Sequence, residues 1–386
     1  MTETPISNPN QPEPPAAIEG LIDVAIIGAG LAGLVCAQRL QRAGYGVVIL
    51  EKSRGLGGRV ATRRLPDTCA DHGLRWLEAQ GPQSQQLIDA LLGRGLEPWA
   101  GEVYQWQKDE LMPIAPSPRY VAPDGMTVVA KYLSSGLEIW RGQRVAAVSP
   151  DEQGWSLMLE PLEGEGRSLS ARALVMAIPA PQALALLQPL AASLEPEFLD
   201  KLAAVQFNPC ITAIARFSAA ERGWFDAPPW SAVNFSESAD LHWVSIDSRK
   251  GRNLDCPVLV IQSSPAFAET HLDTTDLVPV GNELLQQTAM HLLPGLPSPQ
   301  ILQVHRWRYA TVRSPYSRTY LSAAQPSPLV LAGDWCSPEE AANRSVEQAL
   351  DSGIAAADAI NALLDSRSLP EMDYSAPSSA PVPLRF

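Results

Sequence analysis

The sequence predicts an α/β protein of two interleaved domains: a mostly parallel, doubly wound sheet and an inserted, mostly antiparallel one. Three observations predict it: a β-α-β pattern with a glycine-rich turn near the N-terminus, short apolar strands recurring far along the chain, and intervening segments whose alternation suits antiparallel pairing. The chain has 386 residues, 46% of them hydrophobic. That exceeds what one core accommodates, since single cores stop growing near ~250–300 residues.

Taken in order, residues 1–20 hold five Pro, three Glu and no Lys, Arg or aromatic residue. Such a segment buries too little apolar area to offset its ordering entropy, and it is expected to be a disordered arm. Leu21 to Ile27 is a nearly continuous, β-branched run, as a strand buried on both faces requires. Leu31, Leu34, Val35 and Leu40 then recur at helical spacing, Gly44 suits a C-cap, and Val47 to Leu50 is the next strand. Ala171 to Ile178 and Leu329 to Ala332 read as further buried strands of the same sheet, and a long helix follows to about Leu364. The alternation of Ile211 to Phe217 and the run Val258 to Ile261 suit the antiparallel sheet. The first domain is therefore assigned residues 21–80, 136–190 and 311–365, and the second 81–135 and 191–310. Residues 366–386, with four Pro among Ser and Ala, are expected to trail as a flexible tail.

Composition narrows the function classes. The 42 acidic against 29 basic residues leave a net charge of −13, a surface poor in the Lys and Arg that neutralise nucleic-acid phosphates, so no nucleic-acid partner is expected. Pro is frequent at 35 of 386, and only nine of these lie in the two terminal segments, so the excess belongs to the loops of the folded body. The five cysteines are widely spaced, with no C-x-x-C pair and no zinc pattern, which fits a reducing compartment and no metal. No apolar run approaches a membrane span and no signal peptide is recognisable, so a cytoplasmic location is expected. Oligomeric state is not legible.

The chemistry begins at Gly28-Ala29-Gly30-Leu31-Ala32-Gly33, a G-x-G-x-x-G between strand and helix, with Glu51 at the end of the next strand. Gly28 permits the tight turn, Gly30 lets backbone approach a pyrophosphate at the positive end of the helix, Gly33 allows close helix–strand packing, and Glu51 suits a ribose. The turn predicts a Rossmann-like domain but leaves NAD and FAD open. The following Lys52-Ser53-Arg54-Gly55-Leu56-Gly57-Gly58-Arg59 has a Gly pair between arginines. A flavoprotein needs a second flexible segment against the pyrophosphate and flavin, and Arg59 offsets charge there. A third piece, the strand ending in Gly333-Asp334 before the long helix, can present a carboxylate to ribityl hydroxyls and a helix N-terminus to the flavin. Together these predict FAD.

The same residues resemble the flavoprotein superfamily of amine oxidases and phytoene-desaturase-like enzymes, and within it bacterial renalase-like proteins. The likeness extends over Arg59-Val60-Ala61-Thr62-Arg63-Arg64, Asp71-His72-Gly73, Tyr120 to Met126, Asn208-Pro209-Cys210, Asp247 to Arg252, His305 to Ala310 and Ala332 to Cys336. It implies a Rossmann-like FAD-binding domain with an inserted substrate domain, interleaved as in amine oxidases. It implies an FAD oxidase that takes a hydride from a dihydronicotinamide isomer or a similar small reductant and passes the electrons to O2. It also implies that Ala32, Arg59, Arg75 and Trp76 contact FAD, that backbone at Val145 meets adenine, and that Val346 lies at the helix facing the flavin.

Two departures stand out. Family members follow Asp-His-Gly with Ala-Gln-Tyr or a close variant, whereas this chain has Leu74-Arg75-Trp76, and the expected Val-Glu-Gly-Ala is here Val346-Glu347-Gln348-Ala349. Ser337-Pro338-Glu339-Glu340 also resembles a helix start, leaving open where the helix aimed at the flavin begins. Hydride loss from a dihydronicotinamide needs no protein base, so stacking and orientation are the expected work. His72, Trp76, His242, Trp243, His305 and Trp307 are the candidates for the substrate side, and Lys250 and Arg252 for substrate phosphates. Two other readings stay open: an amine oxidase or desaturase, although Lys131, Lys201 and Lys250 lack a context that recommends them, and a flavin-binding scaffold without catalysis.

Overall fold

The computed structural model describes residues 20–161, 167–236, 238–338 and 345–375. The N-terminal arm expected over 1–20 therefore lies almost wholly outside the described residues.

The first sheet runs Val145–Asp151, Gly154–Leu159, Ser168–Met176, Leu21–Ile27, Val47–Glu51, Glu138–Arg141, with Leu329–Leu331 also paired to Ser168–Met176 and Leu321–Ala323 beside it. Leu21–Ile27 is parallel to both neighbours, with Val24 opposite Ala173 and Val47. Successive side chains of that strand go to opposite cores. Val24 and Ile26 pack with helix Leu31–Arg42 and helix Ser345–Leu363, while Ala25 and Ile27 pack with Leu174, Met176 and the helices Ala180–Leu187 and Phe198–Ala203. Burial on both sides explains why the run is continuous rather than alternating, each large aliphatic side chain contributing ~1.5–3 kcal/mol.

The second sheet runs Ile301–Ser314, Gln206–Arg216, Val258–Ser263, Leu241–Ile246, Ala232–Phe235, Val103–Gln107, Glu110–Pro113. All its pairs are antiparallel except Ala232–Phe235 with Val103–Gln107. Its back face, including Ile211, Ala213, Val244 and Ile261, is covered by helices Pro265–Thr270 and Val278–His291. Its front face turns toward the first domain. Between the two lies the hairpin Thr62–Leu65 and Thr68–Asp71, whose Leu65 and Ala70 pack on Ile214, Val258 and Val260.

Three sequence assignments change. Helices Pro82–Leu91 and Thr127–Leu133, placed by sequence in the inserted domain, bury Leu87, Ile88, Leu91, Val129 and Ala130 in the core of the first sheet. Helix Phe198–Ala203 likewise packs on that sheet, through Phe198 and Leu202. The third concerns the C-terminal segment: residues 376–386 lie outside the described residues, but 366–375 do not trail. Arg39 Nε and Arg42 Nη2 donate to the carbonyls of Pro370 and Asp373, Tyr132 donates to that of Tyr374, and the Tyr374 ring is buried. One aromatic ring and three anchored carbonyls order a stretch whose Pro content suggests disorder.

Candidate active site

The glycine turn is built by contact. Gly28 has φ +105° and a side chain there would lie 2.5 Å from the Ala177 carbonyl oxygen; at Gly33 it would lie 2.1 Å from that of Gly28. Gly30 differs, because nothing lies within 4 Å of where its Cβ would be. Open space is thus kept in front of one glycine while the other two serve packing, as a dinucleotide cradle requires. Glu51 is buried, accepting from Ala29 N at 2.9 Å and Ser53 N at 2.8 Å. Each carboxylate oxygen keeps a second lone pair for a ribose. Beyond it a cavity of about 570 Å³ is lined by Lys52, Ser53, Gly142, Arg144, Glu160 and Pro161, next to buried Val145.

Three further segments meet the turn. Gly57 N donates to the Ala29 carbonyl at 2.9 Å, and Gly58, with φ +55°, sits against Gly30. Arg59 forms a two-pronged ion pair with Asp334, at 2.7 and 2.6 Å, and Asp334 is almost wholly buried. The Arg59 carbonyl accepts from Leu74 N at 2.8 Å, and a Cβ at Gly73 would lie 2.1 Å from that oxygen. Gly333 N donates to Ser352 Oγ of the C-terminal helix, whose Gly353 sits where a Cβ would be 2.4 Å from the Ala32 carbonyl oxygen. Val346 is buried in the first core near the described start of that helix at Ser345. Ser337 and Pro338 are not helical, and Glu339 and Glu340 lie outside the described residues.

The segment Asp71 to Trp76 leads from this turn to the front face of the second sheet. His72 meets His305 edge-on at 5.0 Å and stacks on Trp307 at 5.2 Å, while the His72 carbonyl accepts from Trp307 Nε1 and Thr212 Oγ1. Burial, then the charges near His305 and Arg63, push His72 down to about 3; burial and Arg63 push His305 down to about 4. Both imidazoles are neutral at pH 7. His72 Nδ1 is buried with no hydrogen-bond partner. Arg75 and Trp76, placed by resemblance among the FAD contacts, make their described contacts on the sheet. Arg75 Nε donates to Gln262 Oε1 at 2.9 Å with its guanidinium 4.1 Å from the Trp243 ring centre, and Trp76 stacks on Trp99 and meets Trp243. His242 is exposed on a bulge, within electrostatic reach of Arg75. The bulge puts Leu241 in the back core and Trp243 on the front face, although two residues apart they would otherwise share a face.

Lys250 and Arg252 are not free for phosphates. Both are buried, pairing with Asp71 and Asp247 in a four-membered ionic cluster that joins the hairpin to the second sheet. Burial alone would raise the Asp71 carboxyl, but Lys250 and Arg252 hold it down to about 2. Lys131 and Lys201 stand on helices rather than in the sheet, Lys201 paired with Glu197. Among the tryptophans of the inserted domain, Trp99, Trp243 and Trp307 join the front-face group, Trp230 is core, Trp106 packs on Phe235 and His291, and Trp224 is exposed. Cys210, Thr212 and Gln262, which strand register brings to this face, and Arg119, which lies over Trp76, were missed by sequence reasoning because these placements are non-local.

A glycine cradle, a second glycine segment and an Arg–Asp pair under an aromatic sheet define a flavin-dependent oxidoreductase of two domains. The chain belongs to the flavin containing amine oxidoreductase family, whose profile matches residues 102–361, and residues 26–91 match the NAD(P)-binding Rossmann-like domain. It is 27% identical to renalase of Mus musculus over 310 residues, 76% of this chain and 86% of that protein. A shorter stretch of 82 residues, 20% of this chain and 17% of the relative, is 34% identical to L-amino acid dehydrogenase of Synechocystis sp.. Cyclohexylamine oxidase from Brevibacterium oxydans has a similar fold, with TM-score 0.66 at 14% identity, covering 90% of this chain and 100% of that one. The protein is an FAD-dependent oxidoreductase with an amine-oxidase-like two-domain fold. No described helix is long and apolar enough to cross a membrane.

Proposed function

We propose that the protein is a renalase-like oxidase in the cytoplasm that removes a hydride from a dihydronicotinamide isomer or a similar small planar reductant, with O2 as the electron acceptor. The observation that supports it best is the neutral aromatic group of His72, His305 and Trp307, with ring centres 4.3–5.2 Å apart, His305 and Trp307 standing on a strand whose Ala310 carbonyl accepts from the Arg59 that pairs with Asp334. Bound FAD supplies a two-electron acceptor that O2 can reoxidise with formation of H2O2. On this reading Gly28, Ala29, Gly30, Ala32 and Gly33 cradle the pyrophosphate, Glu51 and Lys52 hold the adenosine end near Val145, and Gly57, Gly58, Arg59, Gly333 and Asp334 lie along the flavin. A donor that ends as an aromatic cation requires orientation rather than proton removal. The half-buried rings of His305 and Trp307, backed by buried His72, supply flat surfaces for that, and the depressed histidines keep like charge away from the emerging cation. An amine would need a base for its ammonium form, and Lys250, which adjoins this segment, is held by Asp71 and Asp247.

The test is anaerobic mixing of the flavin-loaded protein with dihydronicotinamide isomers, ordinary NADH and a panel of amines. Rapid bleaching by the isomers, with one H2O2 per donor on admitting air, is expected. Bleaching by an amine alone would overturn the substrate, and a flavin that no donor reduces would favour a scaffold.

A further inference from the structure

Among the described residues, the cation over Trp243, Arg75, has no counter-ion. Arg75 spends Nε on a neutral amide, that of Gln262, and lays its plane over Trp243. No described residue accepts from its terminal amino groups or forms an ion pair with it. Gln262 is itself committed, since its Nε2 donates to the Gly73 carbonyl at 3.1 Å, so the pair is held rigidly to the segment carrying His72. Neighbouring Arg119, over Trp76, shows the ordinary arrangement, with Glu78 at 3.2 Å. Burial pushes the Arg75 guanidinium down to about 10. Arg75 is only half-buried, and an Arg fork held flat presents two parallel N–H groups that match a carboxylate. His305, Trp307, Cys210 and Trp76 around it are only half-buried.

We infer that Arg75 is a specificity residue that receives a carboxylate on the donor ring, so that the preferred substrate is an acid, a dihydronicotinate, rather than the corresponding amide. This rests on the hydride-donor reading above and names its substrate class. In the reaction the ring C–H bond breaks, both electrons and the hydrogen leave together to the bound FAD, and the ring becomes a pyridinium. The carboxylate stays ionised and unchanged against Arg75, and no further reactant is needed beyond the FAD and the O2 already assigned.

The experiment titrates nicotinate and nicotinamide into the oxidised, flavin-loaded protein, following the flavin absorbance. It then compares the reduction rates by dihydronicotinate and dihydronicotinamide mononucleotides in the wild type, R75K and R75Q. A charge-assisted hydrogen bond of ~1.5–3 kcal/mol corresponds to a roughly 10- to 100-fold preference for acid over amide. That ratio is expected in the wild type, partly kept in R75K, and near one in R75Q. A ratio near one in the wild type overturns the proposal. So does a ratio unchanged in R75Q, or a loss in R75Q that affects acid and amide equally, which would mean that Arg75 serves the FAD instead. The titration decides independently of turnover: a nicotinate preference supports the anion site even if no dihydropyridine reduces the flavin, a result that would sink only the donor reading. The wild-type ratio needs no variant, so misfolding of R75Q does not remove the test.

Discussion

Replacing Asp71 with Asn probes the joint between the two domains. Asp71 Oδ1 accepts from Thr62 Oγ1 at 2.7 Å and Met126 N at 2.9 Å, and Oδ2 faces Lys250 Nζ at 3.1 Å and Arg252 Nη2. Its backbone N–H donates to Asp247 Oδ2 at 3.0 Å. The side chains of the two acids are fully buried and those of the two bases almost so, at 3% and 2% exposure. In Asp71→Asn the amide oxygen can keep Thr62 and Met126, but its NH2 then points at two donors and the cluster holds two cations against one carboxylate. Removing one partner of a buried ionic group costs about 3–5 kcal/mol, so the variant should lose that much stability in urea unfolding followed by tryptophan fluorescence. Charge balance returns in the double variant Asp71→Asn with Lys250→Met, which should lie at least ~1 kcal/mol above the sum of the single losses. The pH dependence has a definite sign. The folded carboxyl lies near 2 against an ordinary 3.8, so its contribution is fully present above 3.8 and is lost as pH falls through about 2. The stability gap between wild type and Asp71→Asn should therefore close over that window. A loss below ~1 kcal/mol at neutral pH, or strictly additive single variants, would refute the cluster as the joint.

Other predictions follow from the cradle, a cap and a histidine. Gly33→Ala places a methyl 2.1 Å from the Gly28 carbonyl oxygen and should destabilise the apoprotein by at least ~1–3 kcal/mol, whereas Gly30→Ala, with open space, should leave apoprotein melting unchanged and weaken FAD binding. Melting temperature and the flavin-to-protein absorbance ratio separate the two, and equal effects would contradict the assigned roles. Glu347 accepts from Gln83 N at 2.9 Å and Ser84 N at 2.7 Å, so Glu347→Ala should cost ~1–2 kcal/mol by uncapping helix Pro82–Leu91, read by chemical denaturation. His72 lies near 3 in the folded state against an ordinary 6.5, so only the unfolded chain takes the proton in between, and stability should fall with decreasing pH at up to ~1.4 kcal/mol per unit. His72→Phe should flatten that slope in unfolding series between pH 6.5 and about 3, and an unchanged slope would speak against a buried neutral imidazole.

Local patterns carried the sequence a long way. The cradle could be read because its parts are contiguous: a strand, three glycines and a helix within one β-α-β unit, where backbone sterics dictate both glycine and position. The buried strands were legible for a similar reason, since burial on both faces leaves an apolar run that needs no partner to recognise. What tertiary structure decided lies between distant residues. The helices Pro82–Leu91 and Thr127–Leu133 show an apolar stripe in sequence, but nothing in a stripe says which of two cores it will meet. Lys250 and Arg252 look like a solvated basic loop until the fold brings Asp71 to them across more than 170 residues. The front face is assembled by register alone, with Thr212 opposite both His305 and Gln262, and Gln262 opposite Trp243. A bulge at His242 then reverses which side chains of that strand point inward, a change that strand alternation read from sequence does not contain. The sequence by itself thus determined that this chain binds a dinucleotide and where its backbone must turn. Which side chains share the front face of the second sheet was settled by strand pairing, because pairing is non-local and a shift of one residue exchanges the two faces of a strand.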